Sequence, residues 1–154
     1  MEKIFISDTH FCHDKYHTKN WEYKFWKKYN QINKDFILYH LGDFSFKINN
    51  KILDDILQKF YNNKHCKNIV LIRGNHDKEI NKFTNRGIIV AEKMIIKHKH
   101  KKIILTHKPL LFPIYKNIHG HLHNKYDKHR FAILTKNNIL VETEKIYNIE
   151  DLIK

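Results

Sequence analysis

The sequence predicts an α/β protein, on two observations. Its first half alternates apolar β-branched runs with amphipathic helical patterns, in the order strand, helix, strand, helix, strand. Five strand-like runs then break off abruptly into Asp, Asn or His. Alternation of the first kind builds parallel strands joined by right-handed crossover helices, and open α/β sheets place their sites beyond the carboxyl ends of the strands. At 154 residues, 42% of them hydrophobic, with ten Phe and eight Tyr, the chain has the length and apolar content for one packed domain, residues 1–154.

In chain order, residues 3–7 read as a buried strand that runs into Asp8-Thr9-His10. The polar and aromatic stretch 11–17 has no period. Residues 20–32 carry Trp21, Phe25 and Tyr29 at i, i+4 and i+8, the stripe of an amphipathic helix, with Asn20 as its cap and Glu22 in its first turn. Helical spacing assigns that stripe to the core rather than to a base-stacking platform. Residues 35–41 form a second strand ending in Gly42-Asp43. Asn49 or Asn50 caps a helix to about Tyr61, with Ile52, Leu53, Ile56, Leu57 and Phe60 on its buried face. A third strand, 67–72, stops at Arg73-Gly74-Asn75-His76-Asp77, and a short helix over 78–85 leads to a turn at Gly87. Residues 88–90, 93–97 and 102–106 read as strands, the last ending in His107. Segment 118–123 closes on Gly120-His121-Leu122-His123, Asn124–Arg130 is a charged loop, and 131–134 with 139–142 form a last hairpin. Residues 149–154 end in a turn or short helix. Repeats, linkers and low-complexity segments are absent from the sequence.

Two cysteines, Cys12 and Cys66, cannot build a disulfide framework, which makes a reducing compartment the expectation. The opening strand leaves no room for a secretory signal, and no apolar run would span a bilayer. A cytoplasmic protein that binds no membrane is therefore expected, in a host cell's cytoplasm if the source is a phage or virus. The net charge of +13 comes almost wholly from Lys, with Arg only at positions 73, 86 and 130. Scattered Lys beside abundant Asn and Ile reads first as a compositionally basic, solvated surface. It would still attract phosphate-bearing substrates, nucleotides and nucleic acids among them.

The polar strand ends carry the chemistry. Asp8, His10, Asp43, Asn75, His107, His121 and His123 mix carboxylate and amide oxygens with imidazole nitrogens and include no thiolate. Such a set suits Mn²⁺, Fe or Zn²⁺ better than the all-oxygen shells of Mg²⁺ and Ca²⁺. In extended backbone, residues i and i+2 face one side, so Asp8 with His10, and His121 with His123, would bracket one site. Seven ligands exceed the needs of one ion, and a two-metal centre bridged by a carboxylate accounts for them. Each motif alone has a plainer reading as turn chemistry. Their joint occurrence at successive strand ends does not. His40 and His119, on strand segments, read as satisfied buried histidines, and His98 and His100 as turn surface.

The series Asp8-Thr9-His10, Gly42-Asp43, Gly74-Asn75-His76-Asp77, His107 and Gly120-His121-Leu122-His123 resembles the calcineurin-like metallophosphoesterase superfamily, in order and over residues 4–123. Its Asp-Thr-His-Phe opening and short length are similar to small bacterial and phage-type members without cap domains. The resemblance implies a four-layer sandwich of two mixed β-sheets flanked by helices. It implies one metal held by Asp8, His10, Asp43 and His123, and a second, bridged by Asp43, held by Asn75, His107 and His121. It implies two divalent ions, Mn²⁺ foremost with Fe, Zn²⁺ or Ni²⁺ as alternatives, and a metal-bridging hydroxide that attacks the phosphorus of a phosphomonoester or phosphodiester. His76, an imidazole beside a ligand, is the expected general acid, with Asp77 orienting it. His13, Arg73 and Asn75 are candidate contacts to the substrate phosphate. A nuclease with the same site is the runner-up reading. A non-catalytic scaffold is disfavoured because every ligand position and His76 are present.

Overall fold

In the computed structural model, which describes residues 1–13, 15, 17–122 and 137–154, two sheets stack face to face. The first contains β1 (Glu2–Ile6), β2 (Phe36–His40), β3 (Cys66–Ile72), β4 (Ile89–Ala91) and β9 (Tyr147–Asn148), in the order β4-β3-β2-β1-β9. Its first four strands run parallel, and β9 pairs antiparallel with β1. The second holds β5 (Lys93–His98), β6 (Lys101–Thr106), β7 (Lys116–His119) and β8 (Asn138–Leu140) in sequence order. Its first pair is antiparallel and the other two parallel, so both sheets are mixed, as expected.

The near-continuous apolar content of β1 to β3 follows from burial on both faces. Ile4, Ile6, Leu38, Ile69 and Leu71 face a helical layer made by α1 (Trp21–Tyr29), α2 (Asn50–Tyr61) and α3 (Ile80–Thr84). Their neighbours Phe5, Tyr39, Val70 and Ile72 face the second sheet and meet Ile96, Ile103, Leu105 and Ile118. Phe60 of α2 is the hub of the helical layer, with ring centroids 4.8 Å from Trp26 and 5.2 Å from Tyr29. Helix α4 (Ile149–Leu152) lays Ile149 into the core between the sheets. Among the described residues helices cover only one outer face. On the other, Leu110 of the loop after His107 donates its N–H to Asn117 Oδ1 at 2.9 Å.

Several sequence expectations are corrected. Asn20 does not cap α1 through its side chain. Its φ of 61° is left-handed, whereas a capping side chain works from extended backbone. That helix ends at Tyr29, three residues early, in a tightened turn where Ile32 N–H donates to Tyr29 O. Asn49 does cap α2, accepting from Ile52 N, but Ile52 is 37% exposed, being a position off the Leu53, Ile56, Leu57, Phe60 stripe. The expected 139–142 strand is β8, which pairs parallel with β7. The expected 131–134 strand and 124–130 loop lie outside the described residues. β9, two residues long, has too little length for a periodicity signal.

Asn63, 7% exposed, ties both major helices to β3. Its amide donates to Tyr29 O and Ile32 O at 3.0 and 3.1 Å, and its carbonyl accepts from His65 N at 3.0 Å. Asn63→Ala removes the Asn63 hydrogen bonds to Ile32 O and His65 N and leaves Tyr29 O only its bond from Ile32 N, so a loss of about 2 kcal/mol in urea unfolding is expected.

Candidate metal centre

The loops after β1 and β2 run side by side because the parallel ladder continues past the strands. Asp8 N donates to Gly42 O and His10 N to Asp43 O, both at 3.0 Å, and Phe11 N to Phe44 O at 2.9 Å. Asp8, His10 and Asp43 nevertheless sit at φ of 51°, 39° and 54°, and His121 at 70°. The extended i, i+2 geometry expected of Asp8 with His10 is therefore overturned, and of the His121 and His123 pair the described member is not extended either. Left-handed backbone, not pleat alternation, aims these side chains, at a cost of about 1–2 kcal/mol each that the surrounding fold absorbs.

Asp43 lies where the donors converge. Its Oδ2 is 3.4 Å from His107 Nε2 and 3.8 Å from His10 Nε2, while Oδ1 accepts from His76 N at 2.9 Å. Two groups of potential ligand atoms share this carboxylate, each with all atoms within 4.8 Å of one another. One is His10, Asp43 and His76, the other Asp43, His107 and His121. Asn75 joins the second, its side-chain nitrogen 3.2 Å from His121 Nδ1. Asp8 is in neither group among the described residues. Its Oδ2 accepts from Ser7 Oγ at 2.5 Å and His121 N at 2.9 Å, so it fastens the His121 loop to β1. His123 lies outside the described residues. His76 stands within ligand range of His10 and Asp43, a placement its sequence position beside Asn75 did not foretell.

The hydrogen bonds behind the ligands settle their tautomers. His107 Nδ1 is 2.7 Å from Leu41 O, which only accepts, so Nδ1 carries a proton and Nε2 is the ring atom turned to Asp43. His40 is neutral. The Thr9 hydroxyl donates to Phe44 O at 2.8 Å and accepts from His40 Nε2 at 2.7 Å, leaving Nδ1 to accept from Gly42 N at 3.2 Å. Burial pushes this imidazole down to about 3, in keeping with its satisfied, uncharged state. His119 is buried too, with Nδ1 2.9 Å from Gly120 O, and burial takes it down to about 4.

Asp77 departs most from expectation. Its carboxylate is buried and accepts from three backbone amides, Asp43 and Gly74 at Oδ2 (both 2.8 Å) and Phe44 at Oδ1 (2.9 Å). Both oxygens serve main-chain donors, so Asp77 splints the β2 and β3 loops instead of orienting the His76 ring. Gly74 has no alternative residue here. A Cβ there would run into the amide nitrogen and Oδ1 of Asp43.

The electrostatics fit a cation. Burial opposes charge on Asp43, yet the hydrogen bond and charge of His107 with the His76 amide outweigh it and hold this carboxyl well below its ordinary range. Asp43 in turn holds His107 up against burial. Burial pushes the Asp8 carboxyl up to about 6 despite the Ser7 hydroxyl. A buried cluster of carboxylates and imidazoles whose nitrogens face one another, as His107 Nε2 and His121 Nδ1 do at 3.1 Å, is relieved by a shared divalent ion. The oxygen and nitrogen donor set fits Mn²⁺, Fe or Zn²⁺.

Two cavities flank the cluster. On the Asn75 and His107 side a groove of about 520 Å³ is bordered by Arg73, Glu92, Lys93 and Lys108. Arg73 does not present a free guanidinium to it. Nη1 donates to Glu92 at 2.8 Å and Nε to Asp77 O at 3.2 Å. On the His10 and His76 side His13 stacks on Phe46, centroids 4.8 Å apart, beside a smaller cavity. Thr9, which braces the ligand loops, went unassigned in the sequence because its partners His40 and Phe44 are 31 and 35 residues away, while His40 is the satisfied buried histidine expected.

The family model for calcineurin-like phosphoesterases matches residues 1–150. Among solved structures, the chain is similar to AQ665 from Aquifex aeolicus, a protein of unknown function. The two share 26% identity at a TM-score of 0.74, over 97% of this chain and 96% of that one. It is also similar to the Pseudomonas putida nuclease MPE, at 21% identity and a TM-score of 0.56, over 79% of this chain and 60% of that one. No curated protein matches.

Proposed function

The chain belongs to the calcineurin-like phosphoesterase family, and from that premise we propose that it is a dinuclear metal-dependent phosphoesterase. Asp8, His10, Asp43 and His123 would hold one ion, and Asp43, Asn75, His107 and His121 the other. The single observation that carries this reading is the position of the Asp43 carboxylate, shared between two ligand groups. When bound, two divalent ions, Mn²⁺ foremost, supply Lewis acidity that activates water and offsets charge on the phosphoryl oxygens. The chain's own residues do the rest. His76, exposed at the edge of the cluster with its backbone anchored to Asp43, delivers a proton to the departing ester oxygen. Asp77 and Gly74 keep the His76 and Asp43 loops in contact, and Asn75 and His13 would meet the phosphate. Among the described residues no helix is long and apolar enough to cross a membrane.

Protein stripped of metal is expected to be inactive and to recover hydrolysis of bis-p-nitrophenyl phosphate, or of p-nitrophenyl phosphate, on addition of Mn²⁺, with Zn²⁺ or Ni²⁺ as alternatives. Silence on both esters with every metal would sink the proposal. A nuclease is the second reading, favoured by the net charge of +13 and by the named activity of the Pseudomonas putida neighbour. It calls for oligonucleotide cleavage that falls steeply with salt.

A further inference from the structure

His76 stands between two compartments. On one side its ring meets His10 edge-on, centroids 5.3 Å apart, and on the other it meets Phe46 at 5.6 Å. Past Phe46 opens a cavity of about 160 Å³ with Ile48 and Phe83 among its walls and Lys47 and Lys78 at its rim. Phe46, Ile48 and Phe83 give it an apolar wall beside Ser45, His76 and Asp77. An apolar cavity of about 150 Å³ takes one benzene ring, and this one has room for a single six-membered ring.

The rim charge is available. Lys47 Nζ lies over the Phe46 ring, 5.5 Å from its centroid, and neither Lys47 nor Lys78 is ion-paired among the described residues. Lys82 is already engaged, at 2.7 Å from Glu79 and donating to Ile48 O at 3.0 Å, which also neutralises the one acid on the rim. Asp77 reaches this wall, but its oxygens are turned to backbone amides.

Resting on the phosphoesterase reading, we infer that this cavity is the leaving-group subsite and takes a nucleoside whose second hydroxyl carries a phosphate. The base lies on Ile48 and Phe83, and the phosphate meets Lys47 and Lys78. In the hydrolysis, water oxygen bonds to phosphorus and the bond from phosphorus to the nucleoside oxygen breaks. That oxygen keeps the electron pair and takes the His76 proton, and the proton lost by water restores His76 through solvent. His76 belongs to both places, with a ring nitrogen among the ligand atoms of His10 and Asp43 and its side chain on the wall of this cavity, so a group whose oxygen is protonated at the cluster edge can extend into the cavity.

The test is titration of the metal-free protein with thymidine 5′-monophosphate, followed by ¹H–¹⁵N NMR. Amide shifts at 45–48 and 78–83 are expected. The double variant K47Q/K78Q should bind about tenfold more weakly, and thymidine or inorganic phosphate alone more weakly still. Inorganic phosphate binding as tightly as the nucleotide, or shifts confined to Asn75, His107 and His121, overturns the assignment. Since no ion is needed, the two readings fail separately. Nucleotide binding in the cavity with no ester hydrolysis under any metal removes the phosphoesterase and leaves a nucleotide site. A working hydrolase whose kcat/KM on a phosphorylated thymidine dinucleotide is unchanged by K47Q/K78Q removes the subsite and leaves the hydrolase.

Discussion

Asp43→Asn is expected to lower Mn²⁺-supported ester hydrolysis by about a thousandfold or more, the equivalent of about 4 kcal/mol of transition-state stabilisation. The substitution is nearly isosteric. An amide carbonyl placed at Oδ1 still accepts from His76 N, so the loop is retained. What disappears is the negative charge facing His107 and His10 at 3.4 and 3.8 Å, the only charge common to both ligand groups of the described residues. Equilibrium dialysis should show binding of Mn²⁺ reduced at both sites together, because the carboxylate belongs to each. A variant that keeps its activity, or loses one ion and holds the other at unchanged affinity, would exclude Asp43 as a bridge. The far-UV circular dichroism spectrum is expected to stay that of the wild type, which separates loss of the centre from loss of the fold.

Asp77→Ala should act through the fold first. It strands three backbone donors, those of Asp43, Phe44 and Gly74, in a site where Asp77 is 3% exposed. Each buried donor left without an acceptor costs about 1–3 kcal/mol. The expected loss in urea unfolding is thus about 3–5 kcal/mol, at the large end of single substitutions. Asp77→Asn should be milder. Its carbonyl at the Oδ2 position still serves Asp43 and Gly74, and only Phe44 N then faces an amide donor. Under conditions where either variant remains folded, hydrolysis should still fall, about 10- to 100-fold, because the splint sets the distance between Asp43 and His76. If Asp77→Ala unfolds like the wild type, the splint is wrong. If stability falls while activity per folded molecule does not, its bearing on the site is wrong.

The sequence by itself determined a good deal. The β-branched runs of β1 to β3 and the stripes of α1 and α2 specify elements through local period and burial, and each lies within a few residues of its expected place. Strand ends rich in Asp, Asn and His specify the donor inventory, because parallel topology delivers successive strand ends to one rim. Other features depend on contacts distant along the chain. Asp77 could be read only as the neighbour of His76, since its partners at Asp43 and Phe44 are 34 and 33 residues away. Asp8, His10, Asp43 and His121 are left-handed without being Gly, so nothing at those positions announces the conformation, and it exists because the surrounding fold compensates its strain. Asn20 shows the converse, a good capping residue whose backbone was claimed by the turn before α1. Ile52 missed the core by one helical position. Local chemistry thus decided which groups this protein has to offer. Their convergence on one carboxylate was decided by tertiary hydrogen bonds, which satisfy buried main-chain amides between loops that the sequence keeps far apart.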